Sequence, residues 1–319
     1  RKNFRPLYQD TGVHLYPAVE EQCNTENQTA SLPYPQSMKL AVVLGYAGYG
    51  FSGSQFQPDK RTVEGEFIKA GISCGAWTDA KSASFRTAGR TDKGVSARRQ
   101  IISVTPENPK KFIESINFHL PPDIWCVEYA EVNDDFYPRY AAGIRTYRYY
   151  FPCPMDIAAM QKAAEYFVGV HDFSGFSKME KGRDPMRTVT KAAVFAGESG
   201  LPVFEVSAKS FLWNMVRGMA GILEAVGLGL TPPETVKEQL ASHIWRVHPA
   251  PAAGLIFWDA EVPLSFSPMR QRTAVQRELA AKAKAARTDA AAAEALLGCG
   301  MDEFLREDAE RNYGSFIRR

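Results

Sequence analysis

The sequence predicts an α+β fold in which one succession of elements, β-α-β-β-α-β, occurs twice in tandem. Three observations carry that expectation. Strand-like alternation and helical periodicity follow one another in the same order in both halves of the chain. A hydrophobic content of 45% and a charged content of 23% over 319 residues describe an ordinary globular chain. That length suggests about two domains, with enough chain for a sizeable core. Apolar runs stay short: Leu40 to Leu44 is typical. It falls far below the ~18 residues of a membrane span, so no membrane association is expected.

The elements follow in order. Residues 1–37 carry both signs of charge and no clear periodicity, and they read as an N-terminal extension or leader before Met38. Lys39 to Tyr46 is β-rich and apolar, hence a strand. Thr62 is placed to cap a helix whose inward positions are Val63, Phe67 and Ala70. Ser84 to Thr87 and Gln100 to Thr105 read as strands on either side of a basic loop. Pro109 opens a helix with Phe112, Ile113 and Ile116 on one face, and Ile124 to Glu131 is the next strand. The second half repeats the order. Arg145 to Phe151 is a strand with Tyr147 and Tyr149 on one face. Asp156 caps a helix with Met160, Ala163, Ala164 and Phe167 inward. Thr188 to Ala196 and Val203 to Ala208 flank a Gly-Glu-Ser-Gly turn, Phe211 to Ala225 is helical, and Leu255 to Val262 closes the unit. This order is the ferredoxin-like split unit, and two of them imply a cleft between halves 38–140 and 141–263. Residues 264–319 form an alanine-rich helical tail, from about Gln271 to Leu297, with Arg270, Arg277 and Lys284 every seven residues.

Charge and cysteine usage narrow the function classes. The net charge is only +2, yet Arg86, Arg90, Lys93, Arg98 and Arg99 cluster around the single anion Asp92. Charge alone favours a solvated face over a nucleic-acid contact, there and along the tail. Five scattered cysteines with no Cys-x-x-Cys pair exclude a disulfide scaffold and the common zinc frameworks. They point to a reducing compartment, with the cytoplasm expected and a nucleus or organelle left open for a eukaryotic source. Lone histidines such as His119 and His171 are structural more often than they are metal ligands.

Gly48-Tyr-Gly-Phe-Ser-Gly53 matches the Gly-x-Gly-x-x-Gly spacing of dinucleotide binding but lacks its context. Pro58 delays the helix to Thr62, and no acid stands about 20 residues beyond for a ribose. The glycines read instead as a loop lying close against another backbone. Asp92, between Gly89 and Gly94, is a carboxylate among cations. Such surroundings lower its pKa and make it a nucleophile or charge stabiliser; the bland alternative is a loop acid satisfied by its neighbours. Trp213 and Met215, on an apolar stretch, read as core, and Tyr149 as core or cleft wall.

Around Asp92 the sequence resembles the tRNA pseudouridine synthase A family, in its archaeal and eukaryotic branch. The resemblance rests on Arg90-Thr-Asp92-Lys93-Gly-Val, Tyr46 to Gln57, Thr62-Val-Glu-Gly65 and Asn117 to Ile124. It continues through Arg139, Arg145-Thr-Tyr147-Arg-Tyr, Gly169 to Phe173, Phe211 to Arg217 and Gly254 to Asp259. The resemblance implies a pseudouridine-synthase fold and isomerisation of uridine in tRNA, at nucleotides thirty-eight to forty of the anticodon arm. The alternatives are a multi-site enzyme of the eukaryotic kind and a non-catalytic RNA-binding protein. It implies Asp92 as the essential aspartate, Arg217 bonded to it, and Tyr147 stacked on the target base. Arg90 holds the base flipped out, while Lys93, Arg139, Arg145, Arg86 and Arg98, with the cations from Lys178 to Lys191, meet RNA. It further implies a homodimer with tRNA as partner. No cofactor is expected, because substrate and product are isomers.

Overall fold

A computed structural model describes residues 38–242 and 246–297, together with residues 306, 307 and 311. The predicted extension 1–37 and the end of the tail lie outside the described residues. The first half runs β1 (Leu40–Tyr46), α1 (Val63–Ser73), β2 (Arg86–Thr87), β3 (Ser96–Val104), α2 (Pro109–His119) and β4 (Ile124–Glu131), in the order expected. A four-residue helix α3 (Pro138–Ala141) leads into β5 (Arg145–Tyr150), α4 (Ile157–Glu165), β6 (Gly169–Asp172), β7 (Met186–Ala196) and β8 (Pro202–Ala208). Then come α5 (Met215–Gly227), α6 (Glu234–Ser242), β9 (Leu255–Ala260), β10 (Ser267–Pro268) and the tail helix α7 (Thr273–Leu297).

Local sequence explains the helix starts. Thr62 Oγ1 accepts from Gly65 N at 3.2 Å, Asn108 Oδ1 from Lys111 N at 3.0 Å, and Asp156 Oδ1 from Ala159 N at 2.9 Å. Each cap satisfies a donor the first turn leaves open and contributes about 1 kcal/mol. At the other end of α2, Arg272 donates to the carbonyls of Asn117, Phe118 and Leu120, placing a cation where the helix dipole is negative. This contact roots α7 against the first half.

All the described strands join one mixed sheet, in the order β10-β4-β1-β3-β9-β5-β8-β7-β6, with β2 paired to β3. The halves meet where β3 runs parallel to β9, through Ser96↔Ile256 and Ala97↔Phe257. Two cores sit on either side of that seam. One gathers Leu44, Tyr46, Phe67, Trp77, Ile101 and Phe112 under α1 and α2; the other gathers Phe167, Phe173, Phe176, Phe204, Met215 and Met219 around α4 and α5. Tyr147 packs against both.

Four departures from the expected elements matter. The second half is not a plain β-α-β-β-α-β: it gains the edge strand β6 and the helix α6. β6 is only four residues and leaves Val170 62% exposed, so no alternation announces it. The strand expected over Ser84 to Thr87 shrinks to Arg86–Thr87, because Ser84 takes a left-handed φ of 48°. β3 begins at Ser96 rather than Gln100, which moves Arg98 and Arg99 from loop to strand. Helix α5 begins at Met215 rather than Phe211, because Asn214 sits at φ 64° and turns the chain before the first helical residue.

Candidate active site

The loop from Ala88 to Val95 crosses beside β3 and is held from several sides. Ala88 N donates to Ile101 O at 2.8 Å and Gln100 Nε2 to Gly89 O at 2.8 Å. Thr91 N donates to Ser54 Oγ at 2.9 Å, Ser54 N returns a bond to Thr91 O at 3.1 Å, and Tyr46 Oη meets Thr91 Oγ1 at 2.8 Å. The glycines of the Gly48-to-Gly53 loop allow this contact. A Cβ on Gly48 would stand 2.2 Å from Val95 O, and Gly53, at φ 106°, faces Thr91 O. The loop therefore lies against the backbone that carries Asp92, as its missing helix and acid suggested.

Asp92 is half-buried and lines a cleft of about 1110 Å³ to which both halves contribute residues. Tyr147, Arg217, Arg86, Arg90, Arg139 and Arg145 line the same cleft, so both halves contribute to one site. The sequence predicts a lowered pKa for Asp92, and the structure gives the opposite sign. Burial pushes the carboxyl above the usual aspartate range, while Arg217, a hydrogen bond from the Trp213 side chain and Lys178 pull it back only in part. The countercharge comes from the other half of the chain, not from the neighbouring cations. Nor is Arg217 bonded to the carboxylate. Its Nε donates to Ala250 O at 2.7 Å and its Nη1 to Asn214 Oδ1 at 3.3 Å, and it acts on Asp92 through space. Gly218 lets α5 pack against the backbone at Phe176, since a Cβ there would meet Phe176 O at 2.2 Å.

Tyr147 stands edge-on between Phe211 and Phe257, each with its centroid 5.0 Å away. Burial pushes its phenol well above the ordinary tyrosine range, with Tyr46 and Asp92 adding to the shift. At neutral pH it is a protonated ring held in place by its neighbours.

The remaining sequence candidates divide. Arg86, Arg90 and Arg139 are exposed and line the cleft. Arg145 is buried, and its guanidinium donates to Arg139 O at 2.7 Å, Lys209 O at 2.6 Å, Ala88 O at 3.1 Å and Ala142 O at 3.2 Å. It ties three loops together instead of presenting itself to phosphate. Lys93 is exposed outside the cleft lining. Arg98 lies over the Trp258 ring at 4.6 Å, also outside the lining. Its neighbour Arg99 pairs with Glu128 at 3.0 Å and Asp259 at 3.2 Å. The β1–β3 ladder runs past both to Tyr46↔Ala97, with a register shift between Leu44 and Tyr46, so these two arginines belong to the sheet and not to the loop. Of the cations between Lys178 and Lys191, Lys178 and Arg183 line the cleft, whereas Lys191 pairs with Glu205 at 2.7 Å.

Sequence reading misplaced Trp213. It is 44% exposed and lines the cleft, with Lys178 Nζ 3.9 Å from its ring, while Met215 is fully buried as expected. The left-handed Asn214 separates the two, and an Asn just before a helical pattern was the available signal. Tyr137, Tyr140 and Lys209 also line the cleft, and no motif in the sequence marks them. Tyr149 is core, 2% exposed. His119 Nδ1 meets Ser73 Oγ at 3.0 Å and His171 Nε2 meets Val168 O at 3.1 Å. Among the described residues no group of three His, Cys, Asp or Glu side chains is placed to hold a metal ion. No helix among them is long and apolar enough to cross a membrane.

A family model described as tRNA pseudouridine synthase matches residues 163–263. A tRNA pseudouridine synthase A of Methanocorpusculum labreanum is 60% identical over 281 residues, covering 88% of this chain and 100% of the relative. Proteins of the same name from Methanoculleus marisnigri and Thermococcus kodakarensis are 47% and 44% identical, each over more than 70% of this chain. With the relative from M. labreanum matched over its full length, the chain belongs to the tRNA pseudouridine synthase A family, isomerases that convert uridine to pseudouridine.

Proposed function

We propose that this chain isomerises uridine to pseudouridine at nucleotides thirty-eight to forty of the anticodon arm of tRNA, with Asp92 acting at the ribose. The observation that carries this reading is one half-buried carboxylate facing the charges of Arg217 and Lys178, in a cleft lined by cations and aromatic rings. The reaction breaks N1–C1′, turns the base and joins C5 to C1′; the proton lost from C5 balances the one gained at N1. An ionised Asp92 beside C1′ attacks it or takes a proton from the ribose, and either step frees the base to turn. Arg217 and Lys178 favour the ionised form against its burial. Tyr147 stacks on the uracil, and exposed Arg90 helps hold the base flipped out. Arg86, Arg90, Arg139, Lys178, Arg183 and Lys209 follow the phosphates.

The same reading treats residues 38–140 and 141–263 as two copies of the ferredoxin-like unit. The matching strand orders β4-β1-β3-β2 and β9-β5-β8-β7 support it. A homodimer and a cytoplasmic location complete it; light scattering at micromolar concentration with and without tRNA tests the first, with a dimer mass expected. The site is tested by mapping pseudouridine in unmodified tRNA transcripts incubated with the purified, chelator-treated protein. Conversion confined to nucleotides thirty-eight to forty is expected. Conversion elsewhere contradicts the site, and binding without conversion contradicts the enzyme.

A further inference from the structure

We infer that Tyr137 and Tyr140 form a stacking platform for an unpaired nucleobase of the substrate RNA that neighbours the target uridine. The inference deepens the tRNA reading above and rests on it. Tyr140 is 82% exposed and Tyr137 39%, with ring centroids 5.1 Å apart and planes inclined by 36°. A tyrosine ring usually buries most of its apolar area, so a paired and solvated one is out of place unless something covers it. Both rings line the cleft that contains Asp92, beside the exposed guanidinium groups of Arg139 and Arg86. Aromatic faces next to cations are the means by which proteins hold single-stranded nucleic acid: the ring takes a base and the cation its phosphate.

The platform is also rigid. Pro138 is buried between the two tyrosines, and Tyr140 N donates to Tyr137 O at 3.0 Å. Arg145 holds the carbonyls of Arg139, in this helix, and Ala142, just after it, and with the same guanidinium those of Ala88, at the start of the Asp92 loop, and Lys209, before Trp213. The platform is thereby tied to the loop that carries Asp92.

The test combines binding and kinetics for the wild type, Tyr140→Ala, Tyr140→Trp and Arg139→Gln on one tRNA transcript, and on the same RNA carrying a single abasic nucleotide at each anticodon-loop position in turn. Tyr140→Ala is expected to weaken binding and raise KM by about tenfold, with kcat and the salt dependence unchanged. Tyr140→Trp restores binding, whereas Arg139→Gln lowers the salt slope by about one. At one abasic position the wild type and Tyr140→Ala bind equally, because the base that stacks is missing. Binding by Tyr140→Ala within twofold of wild type overturns the platform. So does a Tyr140→Ala defect of the same size at every abasic position, or one that Tyr140→Trp fails to rescue. A wild type that binds the intact transcript without modifying it contradicts the enzymatic reading instead, and leaves the abasic comparison able to judge the platform.

Discussion

At the scale of single residues, the site works against the stability of the fold. Burial raises the Asp92 carboxyl above its ordinary range, so the folded chain holds that proton more tightly than the unfolded one does. Its contribution to stability is present below the ordinary aspartate pKa and lost as pH rises through the folded value. At neutral pH the ionised carboxylate therefore costs stability, and Asp92→Asn is expected to melt higher, by on the order of 1 °C. That difference shrinks as pH falls towards the aspartate range, which calorimetry across pH checks; a variant that melts lower at neutral pH contradicts the assignment. The same shift sets the acid limb of the activity profile. Single-turnover rates should fall as pH drops through a point above the ordinary aspartate pKa. No matching alkaline loss should come from Tyr147, whose phenol is also shifted upward.

At the scale of elements, Arg145 decides how the loops stand. Its carbonyl partners come from α3, the Asp92 loop and the segment after β8, so losing the planar fork leaves several acceptors without a donor. Arg145→Lys keeps the charge and is expected to cost about 2–4 kcal/mol of stability. It should lower kcat at least tenfold while leaving the salt slope of tRNA binding alone; a reduced slope with normal stability would return Arg145 to the phosphate contacts the sequence suggested. This residue marks where the sequence stops being readable. The caps at Thr62 and Asp156, the Pro109 start and the burial of Phe67, Phe112 and Met160 depend on near neighbours, and local pattern shows them. The fork of Arg145 and the pairing of Arg99 with Asp259, across 160 residues, depend on the sheet being assembled. Trp213 was hidden by one left-handed residue, and β6 by its shortness. Asp92 stood out because its neighbours are cations, yet its titration is set by burial and by Arg217 and Lys178 from the other half.

At the scale of the whole molecule, a net charge of +2 conceals a sided distribution. Cations gather at the cleft, whereas Arg99, Arg148 and Lys191, outside its lining, are paired with carboxylates. Six phosphate contacts by the cleft cations correspond to a loss of about a thousandfold in tRNA affinity between about 50 and 200 mM salt. Titrations across that range check it, and a flat response would remove the cleft as the electrostatic docking surface. Because the halves meet through the short β3–β9 pairing and share Tyr147 between their cores, the Asp92 loop and α5 are held in one frame. The site exists only when both halves are in place.

In the proposed function Asp92 performs the chemistry while the cleft around it performs the binding. Single-turnover conversion of a pre-folded uridine transcript by the wild type and by Asp92→Asn, with tRNA affinity measured on the same preparations, separates the two. The expected result is full conversion by the wild type, none detectable with Asp92→Asn, and affinities within a few-fold of each other. Pseudouridine formed by Asp92→Asn at a tenth of the wild-type rate or faster would contradict it.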